Sequence, residues 1–232
     1  WDTWVIGIDG TNPTRLTSDG SDDIHPSWSP DGTQIVYCST GARSRQWELW
    51  ILEVAKPSIR KFIGYGLFPR WCPNAQVPKI AFQLARARGS RWFSIWTIDI
   101  VNGEARYPTE IISNIDYACI CPAWSSDGAK IAYSTVGQAG RLDNDKNPQV
   151  KPAPAGPSTP TAEDIWIVDI DGRNNHSLTN SDTRNFSPAW SVDGRIFFCS
   201  DRNGLENVWS IMPHAVDFNA AAPVDLTSHP QG

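Results

Sequence analysis

The chain is 232 residues long, enough to bury a sizeable core within one all-β domain. Charged residues make up only 19% of it and the formal net charge is -5, a balance that does not suit a globally basic nucleic-acid binder. No apolar run reaches the roughly 18 residues of a membrane-spanning helix, and the 12 tryptophans, 18 prolines and 17 glycines favour strands joined by many turns.

The opening, Trp4-Val5-Ile6-Gly7-Ile8, reads as a strand and not as a charged-then-apolar signal peptide. An export signal, if the protein is exported, lies upstream of this sequence. A short polar strand at Arg15–Thr17 follows, and then HPSWSPDGTQIVYCS around Trp28. This segment has a Pro two residues before the Trp, a polar turn, and an alternating apolar strand. It returns as FPRWCPNAQVPKIAFQ around Trp71, CPAWSSDGAKIAYS around Trp124 and SPAWSVDGRIFFCS around Trp190. The Ser-x-Asp-Gly turn has a mechanism: Asp accepts hydrogen bonds from nearby backbone, and Gly takes the positive φ that closes a tight hairpin. Cys72-Pro73-Asn74-Ala75 departs from it and must close its hairpin differently.

Each of these segments is followed by a second one, WELWILEV (Trp50), FSIWTIDI (Trp96), EDIWIVDI (Trp166) and ENVWSIMP (Trp209). A shorter polar strand such as His176–Thr179 or Val224–Thr227 then ends the unit. The opening TWVIGIDGTNPTRLT is this second half with no first half before it. Trp4, Trp50, Trp96, Trp166 and Trp209 are therefore equivalent, spaced by 46, 46, 70 and 43 residues. A four-stranded repeat of this length is the signature of a propeller blade. Strands are expected near 26–29, 34–39, 48–54 and their equivalents, with almost no helix. Residues 136–162, rich in Pro, Gly and Ala and without apolar periodicity, account for the long spacing and read as a loop inserted in the third blade.

The paired motif, PxWSPDGxxIaf followed by diWvvdidGxxxxxLT, resembles the TolB-like, WD-type propeller repeat over nearly the whole chain. The resemblance implies an all-β fold, a β-propeller of four-stranded antiparallel blades with strand a innermost and d outermost. The expected organisation is one propeller domain over 1–232: a half-blade 1–20, then blades 21–64, 65–112, 113–180 with the 136–162 insertion, and 181–229. The family usually closes a ring of about six blades, so four and a half imply part of a larger ring. The missing inner strands are expected from the rest of the same chain or from a neighbouring subunit. A periplasmic or extracellular location is expected.

Motifs for chemistry are absent: no G-x-S-x-G elbow, H-E-x-x-H helix, Walker loop or Rossmann fingerprint occurs. No enzyme activity, cofactor or metal is expected. His25, His176, His214 and His229 fall at different places of the repeat, against a shared metal site. Asp143, Asp145 and Asn147 have alternating oxygen spacing, but Pro148 and Pro154 spoil a Ca²⁺ loop. The acid pairs Asp22-Asp23 and Glu163-Asp164 read as solvated loop carboxylates. Of the five cysteines, Cys38 and Cys199 read as buried thiols, and Cys72 is within the sequence logic of a bridge to Cys119 or Cys121.

The most informative surface pattern is basic. Arg43, Arg45, Arg86, Arg88, Arg91, Arg141 and Arg202, joined by Lys146 and Lys151, fall in the loops between strands b and c. Such a concentration of charge steers and orients partners, although Asp22, Asp23, Asp116, Asp182 and Asp201 on neighbouring loops temper it. Trp47 and Trp92 lie beside these loops, outside the repeat's register, as candidate interface anchors. The leading functional expectation is a non-catalytic scaffold that binds a protein partner or other subunits of one assembly, with neither nucleic acid nor a membrane span. The alternatives are the propeller domain of a larger enzyme of the prolyl-oligopeptidase or tricorn type, and a structural subunit of an extracellular filament or complex.

Overall fold

The computed structural model describes residues 1–41, 46–87, 90, 92–137, 163–179, 183–213 and 224–225. The expected insertion therefore lies almost wholly outside the described residues. Among those described there is no helix. Strands β1 (Trp4–Val5) and β2 (Thr14–Arg15) pair as a two-stranded sheet. Four four-stranded antiparallel sheets follow, each in simple chain order. The first blade is β3 (Asp23–Trp28), β4 (Gln34–Thr40), β5 (Trp47–Glu53) and β6 (Lys56–Tyr65), and the second is β7 (Leu67–Trp71), β8 (Lys79–Ala85), β9 (Phe93–Val101) and β10 (Glu104–Ile112). The third is β11 (Ala118–Trp124), β12 (Lys130–Val136), β13 (Ile165–Asp169) and β14 (His176–Ser177), and the fourth is β15 (Asn185–Trp190), β16 (Ile196–Ser200), β17 (Asn207–Ile211) and β18 (Val224–Asp225).

The Ser-x-Asp-Gly turns close as their chemistry requires. Ser29 and Ser125 donate their hydroxyls to Asp31 and Asp127, both at 2.6 Å. The aspartates then accept the backbone N–H of Thr33 (3.0 Å) and Ala129 (2.9 Å), and Gly32 and Gly128 sit at φ of 69° and 74°. In the second blade Asn74 replaces the aspartate, accepting Gln76 N at 3.0 Å within a longer loop. Each a–b pairing also carries a register shift just before the repeat's Pro. There His25, Phe68, Cys121 and Ser187 all take positive φ, from 51° to 56°. The shift sets Pro at a bulge, where its missing N–H breaks no ladder bond.

The chain divides into two compact units, Trp1–Leu84 with Trp96–Thr109, and Ala85–Ile95 with Glu110–Gly232. In the first unit, alternation along each strand supplies two cores. Val5 and Leu16 of the half-blade pack on Ile35, Tyr37 and Leu52, while Val36, Cys38, Leu49 and Ile51 pack on Trp71, Ile80, Phe82 and Ile98. In the second unit, Ala132, Ile165 and Ile167 pack on Ile196, Phe198 and Ile211.

The half-blade repeats, bond for bond, the c–d half of the third blade. Thr3 N donates to Thr17 Oγ1 as Ile165 N does to Thr179 Oγ1, both at 2.9 Å. Leu16 N donates to Thr3 O as Leu178 N does to Ile165 O. Its free face differs, however. Leu52, Ile98, Val168 and Ile211 stand at one repeat position; the second of these is 6% exposed, the fourth 5%, the other two not at all. Ile6, their equivalent, is 58% exposed, beside exposed Trp4 and Ile8. Trp28 is likewise half-exposed, where Trp71 and Trp124 are buried.

Candidate functional site

Among the described residues no group of three or more His, Cys, Asp and Glu stands close enough to hold a metal ion. All five cysteines are free thiols, so the bridge from Cys72 does not form. Burial pushes the Cys38 and Cys119 thiols up to about 12, which leaves them protonated and unreactive. His25 stacks on Phe68 with centroids 3.7 Å apart; burial and then the Arg70 charge lower its pKa. His176 Nδ1 lies 2.7 Å from Asn174 O. His214, His229, Asp143, Asp145 and Asn147 lie outside the described residues.

Of the basic-loop residues, Arg43, Arg45, Arg88, Arg91 and Arg141, with Lys146 and Lys151, are outside the described residues. Trp47 is half-buried and packs against the core between the first two blades. The Arg86 guanidinium lies 5.0 Å over the Trp92 ring. Arg86 Nη2 and Trp92 Nε1 both donate to Asn114 O, at 2.7 and 2.8 Å, a cation–π pair tied down at one carbonyl. Arg202 turns inward. Its Nη2 donates to Asn185 Oδ1 at 2.6 Å and its Nε to Ser200 Oγ at 3.1 Å, while the guanidinium carbon lies 4.6 Å over Trp209 and 5.3 Å over Phe198. Burial lowers its pKa from the ordinary arginine value.

Two acids differ from the sequence expectation. Asp164 is buried and accepts the Thr179 hydroxyl at 2.8 Å. Asp23 is only 3% exposed, and neither carboxylate oxygen has a hydrogen-bond partner. Asp23 opens β3 and Asp164 directly precedes β13, and both are buried, so the solvated-loop reading fails there.

The first blade carries a cavity of about 490 Å³. Strand b lines it with Tyr37 and Ser39, and the b–c loop with Gly41. Strand c adds Glu48 and Trp50, strand d adds Arg60, Phe62 and Tyr65, and Asp19 and Ser21 come from the connector out of the half-blade. Strand a contributes no lining residue. The Trp50 indole donates to Glu48 Oε2 at 3.0 Å and meets Phe62 edge-on at 5.6 Å. Arg60 Nη1 pairs with Asp19 Oδ2 at 2.5 Å, and burial pushes the Tyr37 phenol up to about 12. The result is an open aromatic slot lined by the Glu48 carboxylate and one internal ion pair, Arg60 with Asp19. Reading loops by charge passed over this site; aligning the repeats column by column exposes it, because Gly41 stands where Arg202 stands in the fourth blade.

No family model matches the chain. An uncharacterized protein of Agrobacterium fabrum is 25% identical over 197 residues, which cover 80% of this chain and 53% of that protein. The chain thus spans about half the length of the curated relative it matches. A candidate TolB of Agrobacterium tumefaciens superposes with a TM-score of 0.68 at 21% identity, over 97% of this chain and 68% of the other. TolB of Acinetobacter baumannii follows at 0.67 and 17%, over 97% and 48%. The fold is that of the TolB-like β-propellers. A puromycin-hydrolyzing peptidase of Mycobacterium tuberculosis shares this TolB-like architecture, with a TM-score of 0.62 at 14% identity over 94% of this chain and 34% of that one.

Proposed function

We propose that this TolB-like chain is a non-catalytic scaffold, a portion of a larger extracytoplasmic propeller that works by protein–protein contact. The observation that carries this reading is the uncovered face of the half-blade. Trp4, Ile6 and Ile8 are exposed together, whereas the equivalents of Ile6 are buried and those of Trp4 and Ile8 half-buried in the full blades, and such apolar exposure marks surfaces made to be buried. Its occupant is the face of a further blade, from outside this sequence. The b–c loops, with Arg43, Arg45, Arg86, Arg88, Arg91, Trp92 and Arg141, are the proposed surface toward a protein partner, oriented by charge; Arg202 and Trp47, which pack inward, are not part of it.

Replacing Trp4 and Ile6 together with Asp tests the reading. In extracts of the native host the wild-type chain should migrate within a larger complex, and the variant should run at a smaller size while still melting as a folded protein, a few degrees lower at most. Unchanged migration of a folded variant would refute the scaffold contact. The second reading, a domain of a larger enzyme, draws on the peptidase that shares the fold. A polypeptide from the native host that carries this chain and loses peptidase turnover on a single serine substitution would decide for it.

A further inference from the structure

We infer that the first-blade cavity is a receptor for the guanidinium of an arginine side chain presented by a protein partner. The argument starts from the fourth blade, where the same position is already filled by the chain itself. Aligning the repeats on Trp28 and Trp190 makes Asp23 equivalent to Asn185, Ser39 to Ser200, Tyr37 to Phe198, Trp50 to Trp209 and Gly41 to Arg202. In the fourth blade Arg202 fills the cradle, bonded to Asn185 and Ser200 and lying over Trp209 and Phe198. In the first blade the cradle's walls persist, but residue 41 is glycine and a cavity of about 490 Å³ lies there instead.

The charge has changed in the direction that a cation from outside requires. The internal cradle uses a neutral amide, Asn185; the first blade has a carboxylate, Asp23. Asp23 and Ser39 are directly paired across β3 and β4, so their side chains leave the sheet on one face, and Ser39 lines the cavity. A buried carboxylate with both oxygens unpartnered is costly unless a cation reaches it. Arg60, the one cation among the described lining residues, is hydrogen-bonded to Asp19 and reaches Asp23 only through its charge. Among the described residues, both Asp23 oxygens are thus left without a donor and the Glu48 carboxylate with the Trp50 indole alone. A planar guanidinium suits this better than an ammonium, because it satisfies a carboxylate and a hydroxyl by its fork while stacking on Trp50. The half-exposed Phe62 and Tyr65 at the rim have the aromatic character that protein interfaces favour. This site is separate from the half-blade face, and failure of either assignment leaves the other standing.

The test is fluorescence anisotropy with a labelled pentapeptide carrying a central arginine between glycines, compared with the same peptide carrying citrulline or lysine. The arginine peptide should bind, citrulline should weaken binding at least about tenfold, and lysine should fall between them. Asp23→Asn should weaken the arginine peptide at least about tenfold. Gly41→Arg needs Glu48 to move, since a Cβ at residue 41 would meet the Glu48 carboxylate at 2.1 Å; the variant is therefore combined with Glu48→Asn, which copies Asn207. That pair should abolish peptide binding and raise the melting temperature by filling the cavity from within. Equal binding of citrulline, or binding unchanged in both variants, overturns the proposal. So does binding that emerges only when Arg43 and Arg45 are both replaced by Ala, because the chain's own loop is then the occupant. Displacement by free arginine at the peptide's own affinity would overturn the assignment to a polypeptide partner.

Discussion

Truncating one repeat position in two places separates a covered blade face from an uncovered one. Leu52 and Ile6 occupy equivalent places on strand c, yet the first is fully buried and the second is 58% exposed. Either change to Ala removes three carbons. At about 0.8 kcal/mol per buried methylene the transfer loss at Leu52 is about 2.4 kcal/mol, and the residual cavity brings it to about 3 kcal/mol. At Ile6 less than half of the side chain is out of water and no closed cavity is left, so the cost is about 1 kcal/mol. For a chain of this length each kcal/mol moves the melting temperature by roughly 2–4 °C. Leu52→Ala should therefore melt roughly 6–12 °C below wild type, and Ile6→Ala within roughly 4 °C of it. Differential scanning calorimetry on the isolated chain reads both. A loss at Ile6 as large as that at Leu52 would show that the half-blade face is covered within this chain, against the packing described above.

Two further outcomes follow from the same repeat logic. Trp124→Ala should cost about 3–5 kcal/mol in denaturant melts, as for buried aromatics generally, while Trp28→Ala should cost under about half of that, because Trp28 is 48% exposed. The Asp127 carboxyl is held below its ordinary value of 3.8 by the Ser125 hydroxyl and then the Ala129 N–H. A folded-state pKa below the unfolded one adds stability that is fully present above 3.8 and is lost as pH falls through the folded value. Asp127→Ala should therefore flatten the acid limb of the stability–pH curve and cost about 1 kcal/mol at neutral pH; NMR titration of the Asp127 carboxyl gives the direct check, and a midpoint at or above 3.8 would contradict the turn's role.

The blades were legible in the sequence because the repeat carries its own punctuation. A tryptophan, a Ser-x-Asp-Gly turn and a period-two strand each specify local geometry, and their recurrence around Trp28, Trp124 and Trp190 fixes the rest. The left-handed residue before each Pro was not legible, since His25, Phe68, Cys121 and Ser187 share no chemistry; only the ladder around them requires the bulge. The cavity was hidden for a different reason. Asp23 sits next to Asp22 in a run that looks solvated, and its burial comes from the sheet and not from neighbours in sequence. Arg202 illustrates the converse. Its place in a loop reads as a surface charge, but Asn185, Ser200, Phe198 and Trp209, distant in sequence, form its cradle.

The scaffold reading is tested most directly at Ile6. With Cys121 and Cys199 replaced by Ser and Ile6 by Cys, maleimide labelling of the native-host complex is compared with labelling of the isolated chain. Residue 6 should label at the rate of an exposed thiol in the isolated chain and at least about tenfold more slowly in the complex, as a further blade closes over it. Equal rates in the two would contradict the account.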